Sequence, residues 1–542
     1  MPRPRAWALA RVWRSVIWLC SRRCAPPAPA APSAAGENAP LEPWHSAIYP
    51  PTSNPTPPAR PARVAIIGGG ISGLAAAHRL AQLAPPCVLR LLESGDRLGG
   101  ALHTLTGEGG VLEQGADSFL TRDPVVVELC HALGLGADLM PTSSEHRRAL
   151  VVCRGRLQRV PDGFVLMQPH NLRAVLGSPV LSTPGKLRLL AERFAPRPIP
   201  VLDADYDESV ASFAARRLGR ETFERLVEPL LAGIYVADAA RLSLAATMPE
   251  FLAAERLHGS LAAARRAARA AGQAVGPATG ARYGAFQTLQ RGVSSLIAAL
   301  ADALPAGALQ LSAPATGVVQ EGSGRWRVAS SAGSELFDAV ILATPAHQAA
   351  AMLKAADGEL AGMLDSIEAA SSVVVTLGYG REQIDHPLDG FGFVAPRVER
   401  REILAASFPS VKFAERASGG LTPVRVFLGG ALRPELVDQD DASLIAIAER
   451  ELKSLLGARG APRTALVARW RQAMPQYHVG HLAKVAAINQ RVGSLGGLAL
   501  AGASYSGVGI PQCVRSGYAA AERIAAQLQA GRSPAAPQPP AP

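Results

Sequence analysis

Apolar runs and alternating runs divide this chain into two kinds of strand. ARVAII (62–67), CVLRLLE (87–93), FDAVILA (337–343) and LALAGA (498–503) are apolar almost throughout and read as buried strands. SSVVVTLGYG (371–380), FGFVAP (391–396), EILAASF (402–408) and VRVFLGG (424–430) alternate or are rich in β-branched and aromatic residues, which predicts a second, mostly antiparallel sheet. RRALVVCRGRLQRVP (147–161) predicts a hairpin turning at Arg154-Gly155. Residues 165 to 275 carry mainly helical patterns, with Pro-bearing joints at 179, 184 and 196–200. After LALAGA the chain crosses a small-residue loop, SYSGVGIP, and a helix is expected from Gln512 onward with Val514, Tyr518, Ala521 and Leu528 on one face.

Composition narrows the class. The 542 residues are 48% hydrophobic and 18% charged, with no apolar run of membrane-spanning length. The net charge of +11 comes largely from Arg scattered through Ala-rich helical stretches such as LAAARRAARAAGQ (261–273), so no nucleic-acid partner is expected. Cys20, Cys24, Cys87, Cys130, Cys153 and Cys513 form no CxxC pair, and His103, His258, His478 and His481 lack metal-site spacing. The cysteines read as buried thiols of a reducing compartment, and no metal is expected. The start of the chain has six Arg and no acid before Glu37, then turns to Pro, Ala and Ser. It reads as an unstructured extension, with an organelle transit peptide as the alternative. A Pro/Ala tail closes the chain.

The first strand leads into the most specific motif. ARVAIIGGGISGLAAAHRLA sets Gly68, Gly70 and Gly73 at G-x-G-x-x-G spacing between a strand and a helix, and Glu93 ends the next strand twenty residues after Gly73. Each residue has a physical task in a dinucleotide site. Gly68 allows the tight turn, Gly70 lets backbone approach a pyrophosphate, Gly73 lets helix and strand pack closely, and Glu93 accepts ribose hydroxyls. Gly69, Ile71 and Ser72 complete the loop, whose helix N-terminus faces the phosphates.

The continuation ESGDRLGGALHTL, with Arg97 before Gly99-Gly100, and then EQGADSF, resembles the extended fingerprint of the flavin amine oxidases. This points to FAD rather than NAD. More of the chain, from about Arg63 to about Leu528, resembles the protoporphyrinogen oxidase family within that superfamily. The resemblance rests on GGGISGLAAAHRL, FERLVEPLLAGIYVADAARLSL (223–244), RYGAFQTLQRGVSSLIAAL (282–300), PLDGFGFVAP (387–396) and AGASYSGVGIPQCVRSGYAAA (501–521), in order. It implies an α/β fold: a discontinuous FAD-binding Rossmann-type domain, a mixed or antiparallel-sheet substrate domain and a helical insertion. The corresponding divisions are 1–61 extension, 62–146, 282–345 and 490–530 FAD-binding domain, 147–164 and 346–489 substrate domain, 165–281 helical insertion and candidate membrane-contact region, and 531–542 tail.

The resemblance also implies an activity, the oxygen-using oxidation of a porphyrinogen to a porphyrin in three two-electron steps. It adds Gly115, Ala116, Asp117, Ser118, Ala315, Leu482, Val508, Gly509 and Ile510 as FAD contacts. For the substrate it implies Gly233, Phe391, Val394 and Phe427 as walls and Arg148 as the partner of a propionate, with Arg147 its rival because the hairpin is one residue longer than in many relatives. Protoporphyrinogen IX is the expected substrate, since no basic residue other than these two is anticipated near the pocket before Arg433; coproporphyrinogen III is the alternative. No side chain is assigned as catalytic. The chain is expected to be cytoplasmic or peripheral to a membrane, and a homodimer is the oligomer the reading allows. An amine oxidase, or a flavin-free binder of Rab-escort type, are the competing readings.

Overall fold

The computed structural model describes residues 60–530, except 84–85, 108–109, 199–202, 204, 273–284 and 417–419. The expected N-terminal extension, its cysteines Cys20 and Cys24, and the terminal tail therefore lie outside the described residues.

Five parallel strands build the first sheet, in the spatial order Leu309–Gln310, Cys87–Leu92, Ala62–Ile67, Ala339–Leu342 and Leu498–Leu500. Strands from both ends and the middle of the chain thus lie side by side, as the resemblance to a discontinuous FAD-binding domain implies. Alternation within Ala62–Ile67 sends Val64 and Ile66 to one core and Ala65 and Ile67 to another. The first core holds the helices Ile71–Gln82, Ser294–Asp302 and Ile510–Ala530. The second is closed by the antiparallel strands Ala315–Gln320, Trp326–Ser330 and Gly333–Phe337 and by the helix Ala346–Leu353. Burial on both faces is why these strands read as unbroken apolar runs.

The terminal helix begins at Ile510, two residues earlier than expected, and a four-residue helix, Ala503–Ser506, occupies part of the anticipated loop. Pro511 near the helix start is compatible with this, because a first-turn proline lacks only an N–H that has no intrahelical partner. The helix packs so closely on Ile71–Gln82 that a Cβ at Gly517 would lie 2.3 Å from the Ser72 carbonyl oxygen.

A second sheet of seven strands runs Thr464–Pro475, Ala369–Gly380, Leu421–Gly429, Ala405–Ser407, Gly392–Val394, Leu150–Cys153 and Arg156–Arg159. All pairings are antiparallel except that of Gly392–Val394 with Leu150–Cys153. The hairpin turns at Arg154 and Gly155, both with positive φ, as a two-residue turn of this kind requires. One face of the sheet, carrying Val152, Val375, Phe393 and Val426, packs on the helix Asp441–Leu456. The other face sets two rows across the strands: Val374, Phe427, Ala405 and Val394, and beside it Arg425 and Ser407. Helices between Leu172 and Ala270 pack on the first of these rows through a core that includes Val394 and Ala405. Among the described residues no helix is long and apolar enough to cross a membrane.

Candidate active site

The two sheets meet at a cavity of about 580 Å³. It draws its wall from the carboxyl ends of the parallel strands, from the loop before the terminal helix and from the two rows on the second sheet. Ligands of open parallel sheets bind beyond the carboxyl ends of the strands, so the location follows from the topology.

Gly68 and Gly73 have the tight geometry expected of them. Gly68 has φ +108° and a Cβ there would lie 2.7 Å from the Ala343 carbonyl oxygen. At Gly73 a Cβ would lie 1.9 Å from the Gly68 carbonyl oxygen, which leaves no room for any side chain. Gly70 is different: a Cβ would meet nothing within 4 Å. It borders open space at the start of the helix Ile71–Gln82, where unpaired N–H groups favour an anion. Gly99 N–H donates to the Gly69 carbonyl at 2.9 Å, which brings the second glycine pair against the first, and a Cβ at Gly100 would lie 3.6 Å from the Gly70 Cα.

Glu93 is fixed at its strand end by N–H groups of Gly69 and Gly95, at 2.7 and 2.8 Å. The Ser94 hydroxyl also donates to Oε1, at 3.1 Å, so it is Oε2 that keeps a lone pair for a hydroxyl donor such as that of a ribose. A cradle a side chain would obstruct, a helix start facing it and an oriented carboxylate at one end all fit a dinucleotide. Arg97 is engaged with its own loop, donating to the carbonyls of Leu98 and Gly100.

Of the FAD contacts implied by resemblance, Gly70, Ile71, Ser72, Gly99, Gly115, Ala116, Asp117, Ser118, Val508, Gly509 and Ile510 line the cavity. Gly68, Gly69, Gly73, Glu93, Arg97 and Gly100 lie behind the wall in the turn and strand end described above, and Ala315 and Leu482 stand apart from it. Ala315 opens a strand of the three-stranded sheet, and Leu482 is 51% exposed near the start of the helix His481–Ser494. On the substrate side Gly233, Phe391, Val394 and Phe427 all line the cavity, and a Cβ at Gly233 would point at Val394, 3.9 Å from its Cγ1.

Arg148 lies next to the wall residue Ala149 rather than in the wall, and its side chain lies by Gly390 and acts on the Asp389 charge. That side chain has no hydrogen-bond or ion-pair partner among the described residues. Arg147, its rival, donates to the carbonyls of Thr142 and Ser143.

Sequence reasoning missed two cations. Lys412, at the end of the short helix Pro409–Lys412, and Arg425 both line the cavity, so the expectation of no further basic residue near the pocket is corrected. Arg425 was legible, standing two residues before Phe427 in an alternating strand and hence on the same face. Lys412 belongs to no motif. Both pair with Asp117, at 2.7 Å for Lys412 and 3.3 Å for Arg425. Burial alone would raise the Asp117 pKa, but the two cations outweigh it and hold the carboxyl well below its usual range. Trp470, also unanticipated, enters the wall and donates its indole N–H to the Gln114 carbonyl at 2.9 Å.

The loop before the terminal helix is held from below. Tyr477 accepts the Gly507 N–H at 2.9 Å and donates to the Ala503 carbonyl, while its ring stacks on His481 with centroids 4.1 Å apart. Burial lowers the His481 pKa from its ordinary 6.5 to about 4, with Lys484 and His478 adding to the effect and Asp207 opposing it. Above pH 6.5 the ring is neutral whether the chain is folded or not. As pH falls from 6.5 towards 4 the unfolded chain takes up a proton that the folded chain refuses, so stability is lost on acidification, roughly 3 kcal/mol in full. His481→Phe keeps the stack and removes the titrating group. Its unfolding temperature is expected to fall less than that of the wild type between neutral pH and the acid end of this window; equal falls would contradict the assignment.

Comparisons with known proteins agree with this geometry. The family model described as flavin containing amine oxidoreductase matches residues 71–525. The coproporphyrinogen III oxidase of Bacillus subtilis (strain 168) is 33% identical over 466 residues, covering 84% of this chain and 96% of that protein. The protoporphyrinogen oxidase of Bos taurus is 31% identical, covering 85% and 98%. A crystal structure from Exiguobacterium sp. 255-15, provisionally described as a protoporphyrinogen oxidase, superposes with a TM-score of 0.77 at 30% identity, covering 86% of this chain and 99% of that one. The chain belongs to the flavin containing amine oxidoreductase family, and within it to the porphyrinogen oxidases of haem synthesis, with FAD as cofactor.

Proposed function

We propose that this chain oxidises coproporphyrinogen III to coproporphyrin III, with dioxygen as the final electron acceptor. The observation that carries the reading is a single cavity in which the glycine cradle adjoins an apolar wall bearing two cations, Lys412 and Arg425, against one carboxylate, Asp117. A porphyrinogen is a broad apolar macrocycle with carboxylates at its edge, and four propionates call for more positive charge than two. Bound FAD supplies a two-electron acceptor used three times for each porphyrin formed. Phe391, Val394 and Phe427 hold the macrocycle and keep water from it, and Gly233 leaves the width it needs. Asp117, held ionised by its two partners, is a weak proton acceptor, so this wall binds and orients rather than titrates.

An amine substrate fits less well. Asp117 is the sole carboxylate among the described residues of the wall and is already paired. Protoporphyrinogen IX is the second reading, favoured by the likeness to the bovine enzyme. Side-by-side oxidation under air, followed by porphyrin fluorescence, separates the two: kcat/KM is expected to be higher for coproporphyrinogen III, and the reverse would overturn the substrate choice.

Arg148, with no side-chain partner, is proposed as a further propionate contact. Arg148→Ala is expected to raise KM about tenfold, the loss of one charge-assisted pair of roughly 1.5 kcal/mol. Arg147→Ala is expected to leave KM nearly unchanged, because its guanidinium serves backbone carbonyls. An unchanged KM in the Arg148 variant would remove it from the site.

Peripheral attachment to a membrane is supported by Leu187, Leu190 and Phe194, exposed at helical spacing in the segment 183–194. Complete release from membranes by salt alone would argue against it.

A further inference from the structure

Among the cavity's polar groups, several donors have nothing to donate to. Lys412 Nζ uses Asp117 at 2.7 Å and Ser118 at 3.0 Å, which leaves one of its three N–H groups. Arg425 gives one terminal nitrogen to the Gly115 carbonyl and another to Asp117, yet its Nε is buried without a partner although the side chain is only 2% exposed. Ser407, directly across the strand pair from Arg425, has a buried hydroxyl that is likewise unpartnered. Both line the cavity, as Lys412 does.

Such an arrangement is costly unless a ligand completes it, since a buried donor without an acceptor loses its hydration for nothing. Asp117 does not serve as that acceptor: its Oδ1 takes Lys412 and Ser118, its Oδ2 pairs with a terminal nitrogen of Arg425, and Arg425 Nε and the Ser407 hydroxyl stay unpartnered. The ligand group must therefore be an acceptor, and the excess of one positive charge selects an anion.

We propose that Lys412, Arg425 and Ser407 form a carboxylate subsite that takes one propionate of the porphyrinogen and fixes which edge of the macrocycle enters the cavity first. The inference rests on the porphyrinogen reading and assigns a cation pair additional to Arg148. Asp117 acts here as a positioning residue: paired with both cations, it offsets their mutual repulsion and holds them side by side at the cavity wall. The apolar row beside it, Val374, Phe427, Ala405 and Val394, then lies against the ring carbons. The competing occupant of the same donors is a neutral carbonyl of the cofactor, which lacks the charge the subsite matches.

The test uses the FAD-loaded full chain and measures, by fluorescence quenching at low and high salt, the affinity for coproporphyrin III and for its tetramethyl ester, which has the same ring without charge. Lys412→Met is expected to weaken the free acid about tenfold, the ester less than twofold, and to reduce the salt dependence, with flavin content and absorption unchanged. Ser407→Ala removes a hydroxyl without stranding any protein partner, so it carries the test should Lys412→Met fail to fold. It is expected to weaken the free acid about threefold and the ester not at all. Unaltered affinity for the free acid, or equal losses for acid and ester, would overturn the subsite, and a change in flavin absorption or content with porphyrin affinity unchanged would assign the donors to the cofactor instead. A wild-type chain that binds neither acid nor ester would overturn the porphyrinogen reading itself, an outcome distinct from a wild type that binds and variants that do not differ from it.

Discussion

Gly70→Val is expected to give a folded, colourless protein. Gly70 has φ −71° and ψ 175°, values open to any residue, and its Cβ position meets no protein atom within 4 Å. The folded chain therefore tolerates the side chain. What the valine occupies is the approach to the helix Ile71–Gln82, where the pyrophosphate must come within hydrogen-bond distance of backbone N–H groups. FAD affinity is expected to drop by more than a hundredfold and oxidation to vanish with it, while urea unfolding of the variant matches that of flavin-free wild type. A yellow variant with wild-type flavin content would show that the cofactor does not lie across this turn.

Gly73→Ala is expected to fail in the opposite way. Here the added Cβ would lie 1.9 Å from the Gly68 carbonyl oxygen and 3.3 Å from the Ala343 Cβ, both on rigid elements of the parallel sheet and its turn. The helix can yield only by lifting from a core in which Leu74, Ala75 and Ala77 are fully buried. Overpacking of this kind costs about 3 kcal/mol or more. The variant is expected to unfold at a markedly lower urea concentration than wild type whether or not FAD is added, or to be recovered only as insoluble protein. Wild-type stability would contradict the assigned close packing. Two glycines three residues apart in one motif thus separate by experiment, one serving the ligand and the other the fold.

That separation is legible in the amino-acid sequence, because each glycine of the turn has its own geometric reason. So are the strands of both sheets, where continuous apolar runs mark double burial and alternation marks a sheet with one face in the site. What the sequence hides is how distant segments converge. Lys412 stands in FPSVKF, a segment with no motif, and becomes part of the site only because a one-turn helix sets it against Asp117, 295 positions earlier. Arg425 could have been found by following the alternation of VRVFLGG one step further, since Phe427 already reads as wall. Trp470 lies on the edge strand Thr464–Pro475, where nothing local distinguishes a wall residue from an ordinary strand aromatic. Leu482 and Ala315 came from family likeness alone, and no periodicity or spacing in this chain argues for either.

The most direct test of porphyrinogen oxidation by this chain is anaerobic mixing. With oxygen excluded, coproporphyrinogen III is expected to bleach the flavin absorption of the purified protein, with one porphyrin formed for about every three flavins reduced, and admission of air should restore the colour. Flavin that stays oxidised in the presence of either porphyrinogen, but is bleached by an amine, would contradict the account.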